Sequence, residues 1–170
     1  MKTPKLNDKY QAFGNDSRYF IITGGRGSGK SFAVNVFLLL LTYERSHKIL
    51  FTRYTMVSAA SSIIPEFIEK LEMMGVSEDF RITKDEITNI KTKSSILFKG
   101  IRTASGNQTA SLKSLNAITT FVLDEAEELT SEDDFDKIDQ SVRVKNKQNR
   151  CVLILNPTTK EHWIFNRFFE

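Results

Sequence analysis

One octet decides the fold of this chain: Gly24-Gly25-Arg26-Gly27-Ser28-Gly29-Lys30-Ser31. It fits the spacing G-x-x-x-x-G-K-[ST], and it directly follows the apolar run Tyr19-Phe20-Ile21-Ile22. A strand that enters a glycine-rich turn and continues as a helix surrounds phosphate groups with backbone N–H donors, at the positive end of the helix dipole. The octet therefore predicts a binding loop for the phosphates of ATP or GTP.

The residue types of the octet divide the work of holding a nucleotide. Its glycines permit positive φ angles and a close approach of the backbone to the phosphates. Lys30 is expected to place its ammonium group at the β and γ phosphates, and the hydroxyl of Ser31 is expected to bind Mg²⁺. The alternative is a glycine-rich turn that holds no ligand, which the Lys-Ser pair in register disfavours.

Composition bounds the class of protein without naming a partner. The chain has 170 residues, enough for one domain, and 40% of them are hydrophobic, enough for a sizeable core. The net charge of +3 predicts only weak attraction to polyanions. The single cysteine, Cys151, excludes an internal disulfide and lies in an apolar run, so we expect a core residue in a reducing compartment. The longest apolar stretch, residues 36–41, is too short to span a membrane.

Apolar runs of strand type alternate with runs of helical type along the chain. The pattern predicts a mostly parallel α/β sheet, with strands near residues 19–23, 48–52, 120–123 and 151–155 and helices near residues 30–43, 65–74 and 131–142. The first helix is apolar on nearly every face, so we expect it to be buried. Between residues 80 and 101 the pattern changes to short alternating segments, which predict an antiparallel insertion of about three strands.

A second motif, Thr120-Phe121-Val122-Leu123-Asp124-Glu125, ends an apolar strand in two carboxylates. A nucleotide hydrolase needs such a pair opposite its phosphate loop. Asp124 is the candidate to hold Mg²⁺ through water, and Glu125 is the candidate base that polarises the attacking water. A glutamate that follows the strand acid favours hydrolysis coupled to mechanical work. The fold class expected is a P-loop NTPase of the additional-strand, catalytic-glutamate type.

Two arginines are candidates for stabilising charge on the transferred phosphate. Arg143 belongs to a basic cluster with Lys145, Lys147 and Arg150, which is either a solvated loop or the source of an arginine finger for a neighbouring subunit. Arg26 lies inside the octet and is the alternative within one subunit.

Three elements in this order resemble the ATPase domain of the large terminase subunit of tailed bacteriophages. They are the octet with its internal arginine, the tract Lys113-Ser114-Leu115 before Asp124-Glu125-Ala126-Glu127-Glu128-Leu129, and Asn156-Pro157 before His162-Trp163. The resemblance covers residues 10–169. It implies an ATP-driven motor that threads double-stranded DNA into a procapsid, in the cytoplasm of the infected bacterial host. The family works as a ring on the portal protein and is recruited by a small terminase subunit, so we expect the isolated domain to be a monomer.

The resemblance also assigns roles to residues of this chain. Lys30 and Ser31 carry over as the phosphate and magnesium contacts, and Arg26 carries over as the loop arginine. Asp124 and Glu125 match the second acidic motif. Asn156 matches the coupling or sensor position, and an amide at the end of a central strand can hydrogen-bond a phosphate oxygen or a water. The alternative for Asn156-Pro157 is a plain turn.

Two further segments are candidates for adenine recognition and for DNA contact. Tyr10-Gln11 offers an aromatic ring for stacking and an amide for the adenine edge, upstream of the phosphate loop. Contact with DNA phosphates is expected from the polar loop at residues 103–109 together with Lys113, which is otherwise a surface turn.

The chain departs from the two-domain pattern of the family. A two-metal nuclease needs clustered carboxylates, and these are absent after Asn156. We therefore expect residues 1–170 to form an ATPase domain from a longer chain, without DNA cleavage of its own. A helicase-like or other DNA-associated P-loop ATPase is the alternative, and a scaffold that holds ATP without turnover is a second one.

Overall fold

The computed structural model describes residues 1–56, 59–103, 106–107, 112, 115–157 and 159–170. Eight strands of this part of the chain form one mixed sheet: β1 (Tyr19–Thr23), β2 (Lys48–Thr55), β3 (Phe80–Ile82), β4 (Glu86–Asn89), β5 (Ser95–Thr103), β6 (Gly106–Asn107), β7 (Thr120–Asp124) and β8 (Arg150–Leu155). Their order across the sheet is β1-β8-β7-β2-β5-β4-β3, and β6 pairs with β5. The neighbouring pairs β1–β8, β8–β7, β7–β2 and β2–β5 are parallel. The pairs β5–β4, β4–β3 and β5–β6 are antiparallel. The predicted α/β fold with a mostly parallel sheet is confirmed.

Helices cover both faces of this sheet. Those of the described residues are α1 (Lys30–Leu41), α2 (Ala59–Ser62), α3 (Ile64–Met74), α4 (Glu132–Asp139) and α5 (Trp163–Phe168), with 3₁₀ helices at Asp8–Gly14, Ser77–Asp79 and Ala126–Glu128. Most of α1 is buried, as its apolar composition predicts. The hydroxyl of Ser131 accepts a hydrogen bond from the backbone N–H of Asp134 and so caps the start of α4.

Alternate residues of the central strands face two separate cores. Ile49 and Phe51 of β2 pack with α1 and α3, whereas Leu50 packs on the other face with α4 and α5. On β7, Val122 joins the first core and Phe121 joins the second. Because side chains alternate along a strand, an apolar run without polar interruptions indicates a strand that is covered on both faces.

β5 differs from its prediction as one strand of a small antiparallel insertion. It does pair antiparallel with β4, but it also pairs parallel with β2 from Ser95↔Lys48 to Arg102↔Thr55. β5 is therefore a strand of the main sheet that joins the parallel part to the antiparallel part. Local alternation shows a strand but not its partner, so the sequence pattern had no means of revealing this second pairing.

Cys151 is a buried core residue, as predicted. Its thiol donates a hydrogen bond to Oδ1 of Asp139 at 2.9 Å. Burial raises the pKa of the thiol well above its ordinary value, and the charge of Asp139 adds to this effect. In the part of the chain that the structure describes, no helix has the length and apolar character needed to cross a bilayer.

Candidate functional site

The parallel strands bring four chain segments together at one edge of the sheet. Gly24 follows β1, Asn156 follows β8, and Asp124 is the last residue of β7. Arg53 of β2 lies in register with Asp124. These segments and the start of α1 line an open cleft of about 490 Å³ at the carboxyl edge of the strands. This edge is where ligands bind in open α/β sheets.

The loop between β1 and α1 has the backbone of a phosphate-binding loop. Gly27 and Gly29 have φ angles of 73° and 79°, in the left-handed region that favours glycine. Gly29 is the N-cap of α1, and residues Arg26 to Phe32, which span the loop and the first turn of α1, line the cleft. The N–H groups of this first turn have no partner within the helix. Phosphate binding by this loop stays a prediction.

The side chain of Lys30 is held inside this loop by carbonyl groups of the loop backbone. Its ammonium group donates to the carbonyl oxygens of Gly24 and Gly25, the latter at 3.0 Å, and to Oδ1 of Asn156 at 3.3 Å. Its side chain is buried although it lines the cleft. A phosphate in the cleft would compete with these neutral acceptors for a full positive charge.

The two acids that follow the apolar run of β7 line the same cleft as the loop. Asp124 is buried, with 4% of its surface exposed, whereas Glu125 is exposed. Glu125 has a left-handed backbone (φ 55°, ψ 46°), a conformation rare outside glycine that costs about 1–3 kcal/mol. This turn ends the strand sharply and places consecutive carboxylates on the same cleft.

Arg53 is a site residue that sequence analysis missed. Its Nε and Nη2 lie 2.8 and 2.7 Å from Oδ2 of Asp124, and its Nε lies 3.8 Å from Oε2 of Glu125. The signal available in the sequence is a charged residue near the carboxyl end of a strand, where side chains of a parallel sheet meet a ligand. The predicted strand ended at residue 52, one position too early to include it.

Asn156 connects the phosphate loop to a second residue that the sequence did not single out, Glu127. The amide nitrogen of the Asn156 side chain donates to Oε1 of Glu127 at 2.8 Å, and its backbone N–H donates to Oε2 at 3.3 Å. The carbonyl oxygen of Glu127 in turn lies 3.1 Å from Nε2 of His162, just before α5. Lys30, Asn156, Glu127 and His162 therefore form a chain of polar contacts that begins in the loop.

Negative charge is concentrated after β7. Burial raises the pKa of Glu128, and the neighbouring charges of Glu125 and Glu127 raise it further, while Arg53 lowers it. Since the carboxylates repel one another, the cleft attracts cations. Mg²⁺ binds hard oxygen ligands and keeps to one or two carboxylates plus phosphate oxygens. The hydroxyl of Ser31 and the carboxylate of Asp124 line the same cleft and fit this ion.

Tyr10 reaches the loop, but Gln11 does not. The phenol group of Tyr10 donates to the carbonyl oxygen of Ser28 at 3.3 Å, and its buried ring stacks on Phe13. Gln11 is exposed, and its amide lies 3.4 Å from Asp8 within the same 3₁₀ helix. These contacts assign Tyr10 a part in holding the loop, and the predicted adenine contact remains a prediction for both residues.

The two candidate arginines lie at opposite edges of the sheet. Arg26 is exposed and lines the cleft. Arg143 is exposed on the segment between α4 and β8, where the neighbouring carbonyl of Val142 accepts a hydrogen bond from Arg18, just before β1. Arg143 is thus at the amino edge of the strands, outside the cleft of its own subunit.

The expected DNA-contacting loop, residues 103–109 with Lys113, lies mostly outside the described residues, as do Lys113 and Ser114 of the family tract.

Comparison with known proteins places this chain in a family. A profile described as phage terminase large subunit matches residues 16–170. The large terminase subunit of Bacillus phage SPP1 is 24% identical in an alignment 162 residues long, and this alignment covers 89% of this chain and 37% of that protein. The chain therefore spans little more than a third of this relative.

Two solved structures share the fold at low sequence identity. The large terminase of a thermophilic bacteriophage, in complex with ATP-gamma-S, has a TM-score of 0.64 and 15% identity, over 91% of this chain and 36% of that one. A chain of the bacteriophage Phi-29 genome packaging motor assembly has a TM-score of 0.66 and 16% identity, over 96% of this chain and 50% of that one. With the profile match covering nearly the whole sequence, this chain belongs to the phage terminase large subunit family.

Proposed function

We propose that this chain is the ATP-hydrolysing motor domain of a terminase large subunit and that it powers the translocation of double-stranded DNA into a procapsid. The observation that carries the proposal is one cleft that is lined both by Lys30 of the phosphate loop and by Asp124 and Glu125 of the acidic motif. Nucleotide hydrolysis by a P-loop protein needs these two groups on opposite sides of the terminal phosphate. A large terminase that shares this fold was solved with ATP-gamma-S, and a chain that shares it belongs to a genome packaging motor assembly, and both support the proposal.

The residues of the cleft suit hydrolysis of the terminal phosphate bond. The loop N–H groups and Lys30 bind the phosphates, and Mg²⁺ held by Ser31 and, through water, by Asp124 would neutralise phosphate charge. Glu125 accepts a proton from the attacking water as the water oxygen bonds to the γ-phosphorus. The bond from that phosphorus to the β–γ bridging oxygen breaks, and ADP and phosphate leave. Arg26, on the same cleft, stabilises charge on the transferred group.

The wider assignments of this proposal come from the family. Residues 1–170 act as the ATPase domain, without DNA cleavage, in the cytoplasm of the infected host. The domain works in a homo-oligomeric ring on the portal protein, where Arg143 reaches the nucleotide of a neighbouring subunit. The small terminase subunit recruits it, and Asn156 senses whether the terminal phosphate is present.

Calorimetric titration with a non-hydrolysable magnesium–ATP analogue tests the proposal directly. Lys30→Ala is expected to abolish binding, because the charge facing the β and γ phosphates is lost. Lys48→Ala is the control, since Lys48 is half-buried at the amino end of β2, on the opposite edge of the sheet. Equal affinity in wild type and Lys30→Ala contradicts the proposal.

A further inference from the structure

Arg53 forms an ion pair with Asp124, the carboxylate that the proposed reaction assigns to the metal. Two of its nitrogens converge on the same oxygen, Oδ2 of Asp124, at 2.8 and 2.7 Å. Its Nε also lies 3.8 Å from Oε2 of Glu125, so one guanidinium group contacts both acids of the pair. The side chain of Arg53 is 21% exposed and that of Asp124 is 6% exposed, so the contact is largely screened from water.

A buried carboxylate requires a compensating charge. Removing one partner of such an ion pair leaves a charge without solvation, which costs far more than the loss of a surface pair. Arg53 supplies this compensating charge to Asp124. A divalent cation at the same carboxylate would supply this compensation itself, and it would be repelled by a guanidinium group left in place.

We propose that Arg53 is an exchangeable counter-cation: it holds Asp124 in the metal-free cleft and gives up this carboxylate when a divalent cation enters. The inference rests on the proposed function, because it takes Asp124 as the metal carboxylate. Glu125, already within 3.8 Å, gives the displaced guanidinium group a second carboxylate to contact. Arg53 thereby lowers the affinity of the empty site for free metal, while the phosphates of a bound nucleotide supply the further ligands that favour the exchange.

This exchange makes a prediction opposite to that of a simple structural role. If Arg53 only orients Asp124 for the metal, its removal weakens metal binding. If it competes with the metal, its removal strengthens metal binding, although the metal-free protein becomes less stable. Affinity for a divalent cation in the absence of nucleotide therefore separates the two roles.

The experiment measures Mn²⁺ binding by electron paramagnetic resonance, and thermal unfolding with and without Mn²⁺, in wild type and Arg53→Gln. We expect the variant to unfold at a lower temperature without metal, to bind Mn²⁺ at least about tenfold more tightly, and to be stabilised more by Mn²⁺ than wild type is. Adding Asp124→Asn to Arg53→Gln is expected to abolish the gain.

Arg167→Gln is the matched control. Arg167 also contacts two carboxylates, those of Glu132 and Asp136, at 2.9 and 2.6 Å, and its side chain is 25% exposed. It lies on α5, outside the residues that line the cleft. Its loss is expected to change Mn²⁺ affinity by less than about twofold, because the freed carboxylates are exposed and well solvated.

The outcomes decide the proposal. Mn²⁺ affinity in Arg53→Gln that is equal to or below that of wild type overturns the exchange. If this variant does not fold, Arg53→Lys replaces it: a lysine lacks the planar fork, so we expect tighter Mn²⁺ binding than in wild type, and unchanged or weaker binding overturns the exchange. Failure of the proposed function is seen separately, as equal affinity of wild type and Lys30→Ala for the ATP analogue.

Discussion

The ammonium group of Lys30 donates a hydrogen bond to the side-chain carbonyl of Asn156 at 3.3 Å. Lys30 begins α1, and Asn156 follows β8, the strand that pairs with β1. The residue proposed to bind the terminal phosphate is therefore in direct contact with the residue proposed to sense it. Glu127 accepts a hydrogen bond from the nitrogen of the same Asn156 amide, so these contacts connect Lys30 to the segment after β7.

Glu127→Ala and Asn156→Ala are predicted to act on the same step. Each removes one end of the contact between Glu127 and Asn156, so each is expected to lower ATP turnover while leaving binding of the ATP analogue nearly unchanged. The double variant is expected to lose little more than the worse single one, since contacting residues are not additive. Steady-state kinetics of the four proteins checks this, and additive losses would show that the two residues act independently.

Glu125→Gln is predicted to reduce ATP hydrolysis by at least about a hundredfold with binding retained, because the amide cannot accept the proton of the attacking water. Glu128→Gln is the control: it changes a carboxylate three residues away that does not line the cleft. Phosphate-release assays on the full-length protein provide the measurement. Normal turnover in Glu125→Gln would require another base.

Asp124→Asn is predicted to weaken the Mg²⁺ dependence of nucleotide binding, because the amide carries no charge to attract the metal. Titration of the ATP analogue at several Mg²⁺ concentrations measures the effect. The prediction fails if the Mg²⁺ dependence of the variant equals that of wild type.

Arg26→Ala and Arg143→Ala are predicted to differ in their dependence on assembly. Arg26 lines the cleft of its own subunit, so its loss should impair turnover in every state. Arg143 lies at the amino edge, so its loss should matter only in a ring, where a finger in trans contributes about 10³-fold or more. Mixing Arg143→Ala with Glu125→Gln subunits tests this. At a mixed interface the first subunit keeps Glu125 and its neighbour keeps Arg143, so ATP hydrolysis should be regained there. A ring of Arg143→Ala subunits with normal turnover rules out the finger.

Tyr10→Phe is predicted to weaken binding of the ATP analogue several-fold, because the phenol group no longer holds the carbonyl of Ser28 and about 0.5–1.5 kcal/mol is lost. Gln11→Ala provides the comparison, and titrating both variants with ATP and GTP analogues measures base preference. If Gln11 recognises adenine, Gln11→Ala reduces the difference between the affinities for the ATP and GTP analogues. Equal affinity of Tyr10→Phe and wild type for the ATP analogue would show that the phenol group of Tyr10 does not support the loop.

Stability is predicted to fall below neutral pH in part because of His47. Burial lowers the pKa of His47, and the contact with Glu44 opposes this only in part. The unfolded chain, with a histidine pKa of about 6.5, takes up the proton first, so the free energy of unfolding falls as the pH drops below this value and levels off below the folded pKa. His47→Gln should flatten this slope in thermal unfolding measured from about pH 8 to about pH 5. An unchanged slope would exclude His47 as its source.

Much of the fold was predictable because its signals are local. The octet predicts its own loop backbone, since glycine at positions such as Gly27 and Gly29 permits the left-handed angles observed there. The apolar runs predict buried strands, and Ser131 predicts the start of α4 through its cap. Asp124 and Glu125 are recognisable because two acids directly follow a buried run.

The partners of these residues were decided by the tertiary structure alone. Arg53 and Asp124 are 71 residues apart and meet because β2 and β7 are parallel neighbours in one register. Glu127 and Asn156 are 29 residues apart and meet because two strand ends lie side by side. A sequence determines which segments form strands and which turns bind phosphate, because these depend on near neighbours. Strand order and register depend on how all the apolar faces pack at once, so only the folded chain determines which charge faces which.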